Sequence, residues 1–175
     1  MTRTTNARLA GFTFLIYIAA GIATLVLAGQ APVTNVLSVV TDFAALVLGV
    51  TLFAITREED PDLAMLGLTC RVIEAIPAGG EGAGPIFFAV GSTVFSWLLL
   101  RGRMIPVALA QLGVWASVLL VVLLLVQRAG LFGGAINWSS PITWLVWLPM
   151  LVFEVALALW LIVKGVAAPA TTRPL

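Results

Sequence analysis

The sequence predicts an all-α fold: a polytopic membrane protein built as one bundle of six transmembrane helices. Three observations carry that expectation. Hydrophobic residues make up 61% of the 175 positions and charged residues only 10%, with a mean hydropathy of +1.13. A soluble domain carries roughly a quarter charged residues, and a chain this short has too little interior to hide so much apolar surface, so lipid is the expected solvent. The apolar residues fall into runs close to the ~20 residues needed to cross a bilayer. Proline stands near the start of five of the six runs, where a missing N–H costs a helix nothing.

The first run covers about 8–28, with Asn6 as its expected cap. It follows Arg3 and Arg8 as a signal peptide would, but it is longer than a signal core of about 7–15 residues. Ala28-Gly29-Gln30-Ala31 is also a poor cleavage site, so a retained helix is expected. The second run, about 33–56, opens at Pro32. The third, about 62–78, has Asp60 as N-cap, Pro61 at the first helical position and Asp62 at the positive end of the helix dipole. The fourth, about 83–100, is entered at Gly84-Pro85, and the fifth covers about 104–127. The sixth, about 141–163, has Ser140 as its cap. Short turns imply antiparallel neighbours, and only the glycine-rich stretch 128–139 is long enough to fold over the surface. Residues 1–175 therefore read as a single helical domain with no internal repeat.

The third run is short and contains Arg71 and Glu74, and positive charge decides whether it spans. With six spans and a cytoplasmic N-terminus, the inside holds Arg3, Arg8, Arg57, Arg101, Arg103, Lys164 and Arg173, and the outside holds Arg128. Laying residues 62–78 on the surface instead gives nearly equal counts on the two sides. Six spans with both termini cytoplasmic, in a bacterial inner membrane, is the expected arrangement. Trp138, Trp144 and Trp147 fall near the outer end of the sixth run, and Trp97 and Trp160 near inner ends, where tryptophan anchors to the interface. Trp115 lies deeper and is expected to pack inside.

Several chemistries are set aside. Net charge is +1, so no nucleic-acid surface is indicated. With no histidine and Cys70 as the one cysteine, disulfides within the chain, thiolate zinc clusters and histidine-held haem are excluded, and no cofactor or metal is expected. Cys70 is expected to be buried and inert. Glu58, Glu59, Asp60 and Asp62 read as a solvated acidic turn with a helix cap, lacking the glycine and spacing of a calcium loop. Gly80-Glu81-Gly82-Ala83-Gly84 has no following lysine and reads as a turn, not a phosphate loop.

Four ionisable residues remain inside the runs: Asp42, Arg71, Glu74 and Glu154. Each is expensive in hydrocarbon and should face the bundle interior or a wet cavity. At about 1.5 Å per residue from the inner helix ends, Arg71 and Glu154 lie about 15 Å deep, Glu74 about 20 Å and Asp42 about 22 Å, all near the middle of a core about 30 Å thick. Arg71 and Glu74, three apart, share a helix face, and Glu154 is a second candidate for bidentate pairing with Arg71. Three carboxylates against one guanidinium leave a net −2 if all are ionised. At least one carboxyl is therefore expected to carry a proton or hold a cation. Pro149, one turn before Glu154, frees the Leu145 carbonyl and is expected to loosen the helix beside the cluster. The plain alternative is that the charges only fix helix packing and that Pro149 is an ordinary kink.

Three pieces of the chain resemble the bacterial membrane family called domain of unknown function 4386. They are Asn6-Ala7-Arg8-Leu9-Ala10-Gly11 entering the first helix, Arg71-Val72-Ile73-Glu74-Ala75 in the third, and Pro149 with Phe153-Glu154-Val155-Ala156-Leu157-Ala158-Leu159-Trp160-Leu161-Ile162-Val163-Lys164-Gly165 in the sixth. The chain departs from that pattern in a clipped link between the third and fourth helices. The resemblance implies a multi-helix inner-membrane protein and supplies no activity. It falls on Arg71, Glu74 and Glu154, which the depth argument also selects.

Two functions compete on these grounds. One is a small transporter or sensor taking a proton, ion or small polar ligand at the midplane charges, as transporters commonly do; at this size it calls for a homo-oligomer. The other is a structural or partner-binding subunit with the charges as helix glue. An enzyme is the weaker reading: HExxH and GxSxG are absent, and only Glu154 or Asp42 offers an acid or base, which a lipid-turnover assay would test. The bilayer is the expected partner.

Overall fold

The computed structural model describes residues 2–76, 83–130 and 141–169. These form six helices: α1 (Arg3–Val26), α2 (Ala31–Thr56), α3 (Pro61–Ala75), α4 (Gly84–Arg101), α5 (Val107–Arg128) and α6 (Pro141–Val163). No strand occurs among the described residues. Among them, α1, α2, α4, α5 and α6 are long and apolar enough to cross a bilayer. α3, at 15 residues, is shorter than a full span, yet it packs between α2 and α4 like the others.

Each helix packs on the one before it, and α6 returns to α1, so the six close into a ring in chain order, with α2 also touching α4. The core runs down the ring's centre through Phe14, Leu48, Leu52, Phe95, Leu99, Leu120, Phe153 and Leu157. The outer faces are equally apolar: Phe43 is 65% exposed and Leu145 71%. That is the pattern of a bundle whose surroundings are lipid, where apolar surface needs no hiding.

Local chemistry starts and stops the helices. Asp60 caps α3 by accepting from Leu63 N at 3.1 Å, with Pro61 next in line. Thr2, not Asn6, caps α1: its hydroxyl accepts from Thr5 N at 3.2 Å, the helix begins at Arg3, and Asn6 lies buried inside it. Gly165 ends the chain's last helix at φ +72°, where a side chain would be strained. Ser140, Trp138, most of the glycine-rich stretch and Gly80-Glu81-Gly82 lie outside the described residues.

The first and last of the described residues meet at one end of the bundle. Arg3 forms an ion pair with Glu58, and its Nη1 donates to the Ala167 carbonyl at 3.3 Å. Arg101 Nε pairs with Glu59 at 3.1 Å and its Nη1 with Asp60 at 3.2 Å, while Ala167 N donates to Met104 O at 2.9 Å. The acidic turn is thus tied to arginines and a helix cap, and among the described residues no group of acidic, histidine or cysteine side chains is placed to hold a metal ion.

Trp115 departs from its expected place. It is 72% exposed on the outer face of α5, because Gly113, Ala116, Ser117 and Leu120 supply the buried face of that helix instead.

Candidate functional site

Arg71 organises the bundle interior. It is the largest of the fully buried side chains, 1% exposed. Two glycines let it fit. A Cβ on Gly49 of α2 would lie 2.9 Å from Arg71 Cβ, and one on Gly91 of α4 would lie 3.1 Å from the neighbouring Cys70 Cβ. α2 and α4 therefore close on both flanks of α3 and exclude lipid from the guanidinium. Cys70 is buried in the same contact.

The guanidinium is bound on several sides. Nη1 donates to Glu74 Oε2 at 3.0 Å, one helical turn along, and Nη2 donates to Ser92 Oγ on α4 at 3.0 Å. Its Cζ lies over the Phe88 ring, 4.8 Å from the centroid, a cation–π contact. Tyr17 on α1 stacks on the other part of the same assembly, its ring 6.1 Å from Phe88 and nearly parallel to it. Its hydroxyl donates to Glu74 Oε1 at 2.7 Å. Both oxygens of Glu74 are thereby bonded; the carboxylate ties α1 to α3, and the guanidinium ties α3 to α4.

Glu154 stands apart from this network. It is 4% exposed on α6, and its Oε1 is buried with no hydrogen-bond partner. Arg71 Nε is in the same condition. Arg71 and Glu154 border a common void of about 10 Å³, together with Ser92 and Ser96, about the size at which one water can bridge two polar groups. Buried polar atoms without partners are rare in folded proteins and ask for an explanation. The bidentate Arg71–Glu154 pair allowed by the sequence is not formed, because the guanidinium is turned to Glu74 and Ser92.

A larger cavity of about 330 Å³ opens on the other side of Glu154, in the half of the bundle away from the chain termini. Its walls come from the second half of α1, the first half of α2, the first half of α6 and Phe88 of α4. Glu154 sits at its inner end, beside the Tyr17–Phe88 stack. Asp42 lies on the α2 wall with Ser38 and Thr41, and Trp147 lies on the α6 wall, its ring 5.6 Å from Phe88. The inner half of the bundle is filled by Phe14, Leu52, Phe95, Leu99 and Leu157, so the cavity ends blindly at the charges. Pro149 lies in α6 between the cavity's Leu148 and Met150, and the helix runs on through it.

Of the four sequence-selected residues, Arg71 and Glu74 are in contact, Glu154 faces Arg71 across the small void, and Asp42 shares only the large cavity with Glu154. Tyr17, Phe88, Ser92 and Trp147 complete the site and were not singled out by sequence. Tyr17 did carry a signal: it is the one tyrosine of the chain, placed in mid-span and not at an interface.

Fold and site together define a multi-pass helical membrane protein with a polar interior. The family model for a domain of unknown function, DUF4386, matches residues 77–165, just over half of the chain, and the protein belongs to that family. The match takes in α4, α5 and α6, and so Phe88, Ser92, Pro149 and Glu154. No curated protein and no solved structure matches the chain.

Proposed function

We propose that this protein is a small transporter or sensor that binds an ion or small ligand in the cavity ending at Glu154. The observation that carries this reading is the position of Glu154: a buried carboxyl group, not engaged by Arg71, that lines the blind end of a cavity of about 330 Å³. That volume falls within the ~300–1,000 Å³ usual for small-molecule sites, and convergent polar groups in an otherwise apolar pocket mark such sites. Ionisable residues inside a membrane bundle are functional candidates by default.

The orientation follows from charge. Arg3, Arg57, Arg101, Arg103 and Lys164 lie at the end of the bundle where Arg3 meets Ala167, and Arg128 ends α5 at the other. Under the positive-inside rule the termini face the cytoplasm of a bacterial cell. α3 then counts as a sixth crossing, and the cavity faces the outer leaflet.

One observation favours the alternative of a structural or partner-binding subunit. The Tyr17–Glu74–Arg71–Ser92 chain is closed and spans three helices, as helix glue would be.

A thermal-shift screen of the detergent-purified protein against cations and small metabolites decides between them. A compound that stabilises the native protein but not Glu154→Gln supports the ligand site. If nothing shifts, and Arg71→Ala, Glu74→Gln and Glu154→Gln merely melt earlier, the charges serve helix packing.

A further inference from the structure

The cavity walls carry a one-sided chemistry. The charged side chains lining it are Asp42 and Glu154, both acidic. Arg71 and Glu74 lie behind the wall, bonded to each other. Beyond the hydroxyls of Thr24, Ser38 and Thr41, the rest of the lining is mostly aromatic or aliphatic, with Tyr17, Phe88, Trp144 and Trp147 presenting ring surface. Aromatic faces attract cations and repel anions, and two carboxylates in a low-dielectric wall do the same more strongly. An anion is thereby excluded.

A bare metal ion fits no better. Calcium takes 6–8 oxygen ligands and magnesium a near-ideal octahedron. Among the described residues no cluster supplies such a set, and a cavity this apolar gives a hydrated ion nothing to replace its water. The wall suits a cation that brings its own apolar body.

We propose that the cavity takes a lipophilic organic monocation, an aromatic or alkyl amine in its ammonium form. The ammonium pairs with the Glu154 carboxylate at the blind end, and the apolar body lies against Phe88 and Trp147. Asp42 holds the opposite wall negative and draws the cation in. This assignment rests on the reading of the cavity as a ligand site and adds the class of ligand.

Three probes of one shape and different charge separate the two claims: naphthylethylammonium, naphthylethanol and naphthylacetate, titrated calorimetrically into the full-length protein in nanodiscs. Empty nanodiscs supply the partition baseline. The cation is expected to bind, the alcohol about tenfold or more weakly, since a charge-assisted hydrogen bond is lost, and the carboxylate not at all. Glu154→Gln removes the preference for the cation, and Glu154→Asp, which keeps the charge, retains part of it. Gly21→Leu abolishes all binding. Gly21 lines the cavity and a Cβ there meets nothing within 4 Å, so this variant fills the site without disturbing the fold. Equal binding of the alcohol and the ammonium, lost in Gly21→Leu but unchanged in Glu154→Gln, overturns the cation assignment and leaves the ligand site standing. No binding of any probe overturns both.

Discussion

Arg71 and Glu154 border the same small void, yet the guanidinium is committed elsewhere, through Nη1 to Glu74 and through Nη2 to Ser92. One carboxylate of the interior is fully bonded and the other has a buried oxygen with nothing to accept from. The division separates a fixed part of the site from an available part.

Removing Arg71 should hurt the fold more than removing its partner with it. Arg71→Ala leaves Glu74 buried without its cation and is expected to cost about 3–5 kcal/mol, as for other broken buried pairs. Arg71→Met with Glu74→Gln removes both charges and is expected to recover most of that loss. Thermal unfolding in detergent of the two variants and the parent measures the difference.

Tyr17→Phe deletes one hydroxyl and keeps the ring stacked on Phe88. The bond lost is to the Glu74 carboxylate at 2.7 Å, and the expected cost is about 1–2 kcal/mol, between values for charged acceptors and for side-chain bonds inside membranes. A loss as large as that of Arg71→Ala would mean that the hydroxyl, not the arginine, holds Glu74.

Gly11 and Gly21 sit on the same helix and should respond differently to alanine. A Cβ at Gly11 would come within 2.7 Å of the Ala158 carbonyl oxygen on α6, a backbone atom that cannot move aside without shifting the helix. Gly11→Ala is expected to cost about 1–3 kcal/mol through overpacking, while Gly21→Ala is neutral or slightly stabilising through helix propensity. Unfolding midpoints of the two single variants are the readout.

Asp60→Ala removes the cap of α3 and one of the carboxylates paired with Arg101. The expected cost is about 0.5–2 kcal/mol, mostly from the cap, because half-exposed ion pairs contribute little. Asp60→Asn, which can still cap, should retain most of the stability in the same melt.

The orientation is testable by labelling. Cys70 is buried, so a cysteine-free parent made by Cys70→Ala is a fair background. With a membrane-impermeant maleimide on intact cells, Ala129→Cys should label and Arg103→Cys should not until the cells are opened. The reverse pattern would put the cavity on the cytoplasmic side.

Much of the architecture could be read from hydropathy and punctuation. Proline positions marked the helix starts, Asp60 was legible as a cap, and the three-residue spacing of Arg71 and Glu74 gave their contact. What could not be read is rotation about the helix axis. In a soluble helix a polar stripe shows which face is outside, but in lipid both faces are apolar, so Trp115 gave no sign that it points outward. The same ambiguity hid the partners of Arg71 on other helices. Ser92 meets Arg71, and Tyr17 meets its partner Glu74, only once Gly49 and Gly91 have set how closely the helices approach. Asp42 shares the depth of the other charges, yet its helix turns it to the cavity instead of to the guanidinium.

The closing of the ring by α6 on α1 has a consequence for biogenesis. Helices enter the membrane in the order of synthesis, so α1 must wait with one flank uncovered until α6 is made. Through that interval the groove holding Tyr17, Arg71 and Glu74 lacks the wall that α6 supplies, and Gly11 lacks the Ala158 backbone it is shaped to meet. A nascent chain stalled before α6 would present an open polar seam to the bilayer, the kind of surface that membrane quality control is equipped to detect. α6 thus acts as the keystone of the ring, and its Glu154 is the last of the four midplane charges to arrive.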